Sequence, residues 1–175
     1  MLVLVVGPSG AGKDTLLDSA KRSLAGDVRF HFARRVITRP AEAGGESHEA
    51  VTEEEFLARD FALQWHVHGL RYGIPAEALQ VAPVVVANVS RTVIGEAARR
   101  FVTCVIEVTA PQEVLVARLG ARGRENSAEV AARLARSVAL PDSVLAETVI
   151  NDGSVADGAA RFIAALNRAA GDVPR

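Results

Sequence analysis

Lysine is almost missing from this chain. Of its 20 basic residues only Lys13 and Lys21 are lysines, and the rest are arginines. A guanine-reading Asn-Lys-x-Asp, as in GTPase switches, is therefore excluded, since neither lysine follows an asparagine. Cysteine is scarcer still. The single Cys104, within the strand-like Thr103-Cys104-Val105-Ile106, rules out an internal disulfide and any cysteine-based zinc cage, and reads as core filler. No apolar run approaches the roughly 20 residues of a membrane span. The N-terminal apolar run is too short, and lacks the basic flank, for a signal peptide, so the cytoplasm is the expected compartment. A net charge of −1 calls for neither nucleic acid nor an anionic membrane as partner. Internal repeats, linkers and low-complexity tracts are absent too, so 175 residues, nearly half of them apolar, read as one domain with its own core.

What is there begins at once. Leu2-Val3-Leu4-Val5-Val6 is a short apolar run suited to a strand buried on both faces. It breaks into Gly7-Pro8-Ser9-Gly10-Ala11-Gly12-Lys13-Asp14-Thr15, the G-x-x-x-x-G-K spacing of a phosphate-binding P-loop. Such a loop must turn successive backbone N–H groups toward an anion, which demands glycine where a Cβ would collide or φ must be positive. Lys13 adds a full charge to the partial positive charge of the helix that starts there. One position departs from the usual pattern. Asp14 stands where a Ser or Thr normally holds magnesium, and Thr15 follows one place late. Two roles suit Asp14: binding magnesium directly or through water, or favouring the helix N-terminus.

The remaining chain alternates strands and helices. Helix is expected over 14–25, strand over 28–36, strand over 81–89, helix over 92–101, strand over 102–108, helix over 111–119, a short strand over 148–153 and a closing helix over 155–170. This order predicts an α/β P-loop NTPase fold, a parallel sheet with helices on both faces. Residues 1–37 and 81–175 form the expected core. Residues 38–80 change character and read as an insertion, with a short helix started by a Thr52/Glu55 capping box. His66 and His68 are spaced to share one strand face. With no third ligand near them, they and His31 read as polar sheet residues or phosphate contacts, and Trp65 as packing.

A P-loop does not by itself separate switches, motors and kinases. ATPase motors want an acidic pair at the end of a core strand, whereas Asn88 and Ser90 stand at this one and Glu107 lies well within its run. Small-molecule phosphotransfer remains, in which arginines close over the transferring phosphoryl group. Arg122, Arg124, Arg133 and Arg136, with Gly123 as hinge, make a candidate lid over about 120–137.

These residues carry a resemblance. The P-loop, Ile37-Thr38-Arg39, Tyr72-Gly73, Arg122-Gly123-Arg124-Glu125 with Arg133-Leu134, and Asn151-Asp152 resemble the guanylate-kinase-type nucleoside monophosphate kinases over nearly the whole chain. Within that group the chain is most similar to the ribose 1,5-bisphosphate phosphokinases of phosphonate breakdown. That likeness rests on Gly-Lys-Asp-Thr at 12–15, Trp65-His66-x-x-Gly69-Leu70-x-Tyr72-Gly73, Asn88-Val89-Ser90-Arg91, Arg122 to Asn126, and Asn151-Asp152-Gly153-Ser154. Departures from guanylate kinase agree with it. Gln64 occupies the position of the carboxylate that accepts from guanine, a loss worth on the order of 10⁴ in discrimination. Ala41-Glu42 replaces a second arginine, and His48 stands near the place of a phosphate-binding tyrosine.

The resemblance implies ATP and magnesium as cofactors and a phosphosugar as acceptor, with formation of 5-phospho-α-D-ribose 1-diphosphate. It gives ATP to Gly7, Pro8, Ser9, Gly10, Ala11, Gly12, Lys13, Asp14, Thr15, Asn151 and Asp152, with magnesium near Asp14 or Thr15. The acceptor falls to Arg39, His48, Gln64, Tyr72, Ser90 and Arg91, and the transferring group to Lys13, Arg122, Arg124 and Arg133. A guanylate-kinase-like nucleoside monophosphate kinase and a non-catalytic module of the same fold are the competing readings, and a homodimer is left open.

Overall fold

The computed structural model describes residues 1–40, 47–120 and 144–171, and these form two sheets. Strand β1 (Leu2–Val6) lies at the centre of the larger one, with all of its residues buried. A strand without a polar side chain is stable only when both faces are covered, and both are. Its parallel neighbours are β7 (Val84–Asn88) and β8 (Thr103–Thr109), with Leu2 level with Val85 on one side and Thr103 on the other. Outside them lie β2 (Phe30–Phe32) and β9 (Leu145–Ile150), giving a parallel sheet of order β2-β7-β1-β8-β9.

Alternation along β1 divides the core in two. Val3 and Val5 pack with Leu16, Leu17 and Ala20 of α1 (Lys13–Ser23) and with Phe162 and Leu166 of α5 (Val155–Gly171). Leu2, Leu4 and Val6 enter a second cluster with Ile94 and Ala97 of α3 (Ile94–Arg100). Helix α4 (Gln112–Gly120) adds Leu115 to the first cluster. The fold is thus the expected α/β arrangement, a parallel sheet with helices on both faces.

The smaller sheet has the order β4-β3-β6-β5, built from β3 (Val36–Ile37), β4 (Glu49–Ala50), β5 (Phe61–Val67) and β6 (Leu70–Pro75). It is fastened to the larger sheet through shared core. Leu63 of β5 and Ile74 of β6 are fully buried in the second cluster, beside Leu2 and Leu4. Helix α2 (Glu53–Leu57) starts on the expected capping box: the Glu55 N–H donates to Thr52 Oγ1 at 3.1 Å and the Thr52 N–H to Glu55 Oε2 at 2.7 Å. That Thr52 N–H is the main reason the Glu55 carboxyl sits below its ordinary range.

Three expectations need correction. The strand expected over 28–36 is two strands in two sheets, because the chain leaves β2 after Phe32 and enters the small sheet as β3. His66 and His68 do not share a strand face. His68 (φ 52°) and Gly69 (φ 74°) are the two-residue turn between β5 and β6, and positive φ at both central positions matches the twist of a hairpin. Finally, β9 begins at Leu145, three residues before the expected start. It is an edge strand with little burial before Val149, so its apolar signal is weak. Among the described residues no helix is long and apolar enough to cross a membrane.

Candidate active site

At the carboxyl ends of β1 and β7 opens a cavity of about 590 Å³, the place where open parallel sheets hold ligands. One side is the P-loop, with Gly7, Ser9, Gly10, Gly12, Lys13 and Asp14. The far side is the small sheet, with Arg35, Arg39, Trp65, Val67, His68 and Tyr72. Asn88, Val89 and Ser90 form the floor between them, and Leu119 lies at the margin.

Gly12 makes the loop possible. It caps α1 with φ 88°, and a Cβ there would stand 2.5 Å from Asn151 Nδ2. Carbonyls of the loop are satisfied by side chains. Lys13 Nζ donates to the carbonyls of Gly7 (2.7 Å) and Pro8 (3.0 Å), and Asn151 Nδ2 donates to that of Ala11 (2.8 Å). Arg118 Nη1 then ties the brace together, donating to the carbonyls of Asn151 (2.9 Å) and Gly10 (3.5 Å).

Asn151 is therefore buried beneath the loop, gripping its backbone. Asp152 is exposed and paired with Arg161 at 3.0 Å, and the Arg161 hydrogen bond is the main cause of its lowered carboxyl pKa.

Of the two candidate magnesium residues, Asp14 lines the cavity beside Lys13, while Thr15 is exposed and outside the lining. Asn88 Nδ2 donates to Asp14 Oδ1 at 3.0 Å, and Asp14 Oδ2 makes no hydrogen bond among the described residues. Magnesium typically takes one or two carboxylates, with phosphate oxygens and water completing its shell. The single acid on the phosphate loop fits that habit. Among the described residues no cluster of three or more His, Cys, Asp or Glu is placed to hold a metal by itself.

The far wall is basic and aromatic. Trp65 stacks on Tyr72 with centroids 5.5 Å apart and planes 9° from parallel, and the Arg35 guanidinium lies 5.8 Å from the Tyr72 ring centre. Trp65 also packs against the second core cluster, so it is packing and cavity wall at once. Arg39 is fixed by His48. Its Nη2 donates to His48 Nδ1 (3.3 Å), and His48 Nε2 donates back to the Arg39 carbonyl (3.2 Å). An arginine can only donate, which sets the histidine tautomer. Arg34 Nη2 in turn holds the His48 carbonyl at 2.6 Å. Arg39 Nε–H is buried without a hydrogen-bond partner among the described residues, a donor that a bound anion would satisfy.

The structure thus brings Lys13, Asp14, Arg39, Tyr72 and Ser90 to one cavity. His48 stands behind Arg39, buried and outside the lining. Gln64 is exposed, on the strand face opposite Leu63 and Trp65, and does not line the cavity. Arg91 is ion-paired with Glu107, outside the lining as well. Arg122, Arg124, Arg133 and Arg136 lie outside the described residues, as do Ala41 and Glu42.

Fold and site together define a P-loop kinase. No family model matches the chain. Its fold is similar to that of guanylate kinase from Anaplasma phagocytophilum, with a TM-score of 0.66 at 19% identity over 97% of this chain and 85% of that one. The chain is 48% identical to ribose 1,5-bisphosphate phosphokinase PhnN of Acidiphilium cryptum, covering 95% of this chain and 92% of that protein. It is also 50% identical to the bifunctional ribose 1,5-bisphosphokinase-thymidine phosphorylase of Cupriavidus pinatubonensis, covering 98% of this chain and 30% of that longer protein. The chain belongs to the ribose 1,5-bisphosphate phosphokinase family, and is a phosphotransferase.

The loop geometry makes one prediction. Gly12→Ala forces a positive φ on alanine and drives a methyl into Asn151, at a strain cost of about 1–3 kcal/mol. ATP binding by calorimetry should weaken about 10- to 100-fold, and an unchanged affinity would contradict this account of the loop.

Proposed function

We propose that this chain transfers the γ-phosphoryl group of ATP to the C1 phosphate of ribose 1,5-bisphosphate, giving 5-phospho-α-D-ribose 1-diphosphate and ADP. The observation that carries the reading is a single cavity with the P-loop on one side and Arg35, Arg39 and Tyr72 on the other. Donor and acceptor phosphates therefore have one room in which to meet. An oxygen of the C1 phosphate attacks the γ-phosphorus, the bond from that phosphorus to the β,γ-bridging oxygen breaks, and its electron pair leaves with ADP. The attacking oxygen is already ionised, so no general base is required. Positioning and charge neutralisation supply the catalysis.

Lys13 and the backbone of 9–15 hold the β- and γ-phosphates. When bound beside Asp14, magnesium offsets their charge. Arg39 receives a phosphate of the acceptor against Tyr72, with Ser90 at the floor. His48 acts through Arg39. Arg122, Arg124 and Arg133 join the proposal through the family resemblance, closing on the transferring group, and Asn151 serves ATP by bracing the loop. The cytoplasm suits both substrates.

Sugar rather than base as acceptor is supported by the lining. Guanine offers an N1–H and an amino group that a site must accept from, yet Asp14 is the one acid among the described lining residues and it lies on the phosphate side.

Phosphorus NMR tests the proposal. Purified protein with Mg-ATP should produce ADP and a new diphosphate signal with ribose 1,5-bisphosphate and neither with GMP, and Lys13→Ala should lower kcat/KM at least about 10²-fold. Formation of GDP instead would overturn the acceptor assignment. His48→Ala should raise the acceptor KM about tenfold and leave kcat within about threefold, because it removes hydrogen bonds that fix Arg39 and not a group on the reacting atoms. A kcat collapse at unchanged KM would assign His48 a different role.

A further inference from the structure

P-loop nucleotide-binding proteins commonly hold magnesium from two places: a hydroxyl just after the loop lysine, and an aspartate at the end of a neighbouring core strand. In this chain those two places are Asp14 and Asn88. Asn88 closes β7, the strand beside β1, and stands level with Val5 just before the loop. Relative to the common pattern, the carboxylate has left the strand end and appeared on the loop. The strand end has become an amide.

The two changes are in contact. Asn88 is 7% exposed, so its amide needs a partner inside the protein, and Asp14 Oδ1 accepts from it at 3.0 Å. An aspartate at 88 would set two carboxylates against each other, and like charges at that range resist ionising together. An amide is the near-isosteric group that donates to the acid instead of repelling it. Asp14 is otherwise exposed, and this bond is the one the described residues give it.

We infer that Asp14 and Asn88 are an exchanged magnesium pair. Asp14 carries the carboxylate for the ion, and Asn88 is a positioning residue that holds it through Oδ1 and leaves Oδ2 for the ion or its water. The inference rests on the proposed use of Mg-ATP and adds to it which side chain bears the charge and which one aims it. Partners of this kind, one step removed from a metal, typically cost 10- to 100-fold in metal affinity when lost.

The test reads metal binding and not turnover. Mn²⁺ is titrated by electron paramagnetic resonance into the protein saturated with a non-hydrolysable ATP analogue, and the affinity of the metal-free analogue is measured beside it as a check on the fold. Wild type should bind Mn²⁺ more tightly than the free analogue does. Asp14→Asn and Asn88→Ala should each weaken it about tenfold or more, with metal-free analogue affinity held within about threefold. Asp14→Thr alone should behave like Asp14→Asn. The double variant Asp14→Thr/Asn88→Asp, which restores the common arrangement, should recover Mn²⁺ affinity to within about fivefold of wild type.

Single variants that bind Mn²⁺ like wild type would overturn the pair while leaving the magnesium reading intact. A double variant no better than Asp14→Thr would overturn the exchange. Wild type that gains nothing over the free analogue would remove the magnesium reading, and the pair with it.

Discussion

A phosphate-binding loop faces a problem of backbone accounting. To turn its N–H groups toward an anion it must turn carbonyls away, and buried carbonyls without partners are costly. Here Lys13, Asn151 and Arg118 meet that demand, from the loop's own helix, from the end of β9 and from α4. The loop is thus held from two helices and from the residue that follows β9. Gly12 has no freedom to gain a side chain, because Asn151 occupies the space a methyl would need. The Asn151 amide links the loop to β9 and α5.

The far side of the cavity is held differently. Its strands are short, two to seven residues, and the sheet is stable because Leu63 and Ile74 are buried in the same cluster as Leu2 and Leu4. One strand, β1, therefore positions both halves of the site: its odd residues anchor the phosphate-loop helix, and its even residues anchor the hairpin that carries Trp65 and Tyr72. Arg39 gets its fixed geometry from His48 and Arg34 behind it, so the cationic wall is preorganised before any anion arrives.

Much of this was legible in the residues. The β1 run and the glycine spacing that follows it announced the loop and the parallel sheet, since both obey local rules. The Thr52/Glu55 cap was legible for the same reason. Position in the small sheet was not. Whether a residue of β5 faces the cavity depends on register, and a shift of one residue exchanges faces, so Gln64 was expected at the acceptor while Trp65, read as packing, lines the cavity. Arg35 carried no signal beyond its charge, because its place over Tyr72 requires the chain to leave one sheet for another after Phe32. Arg118 and Asn88 were invisible as supports, since each acts on a residue more than 70 positions away. Long-range hydrogen bonds leave no periodicity to read.

The central claim is that one cavity brings the donor phosphates on the P-loop against an acceptor phosphate on Arg39. A crystal structure with magnesium, a non-hydrolysable ATP analogue and ribose 1,5-bisphosphate tests it most directly. The account predicts the γ-phosphate at Lys13 and a phosphate of the sugar on Arg39 beside Tyr72, with the C1 phosphate facing the γ-phosphorus. Sugar bound on the outer face of β5, at Gln64 and His66, would contradict it.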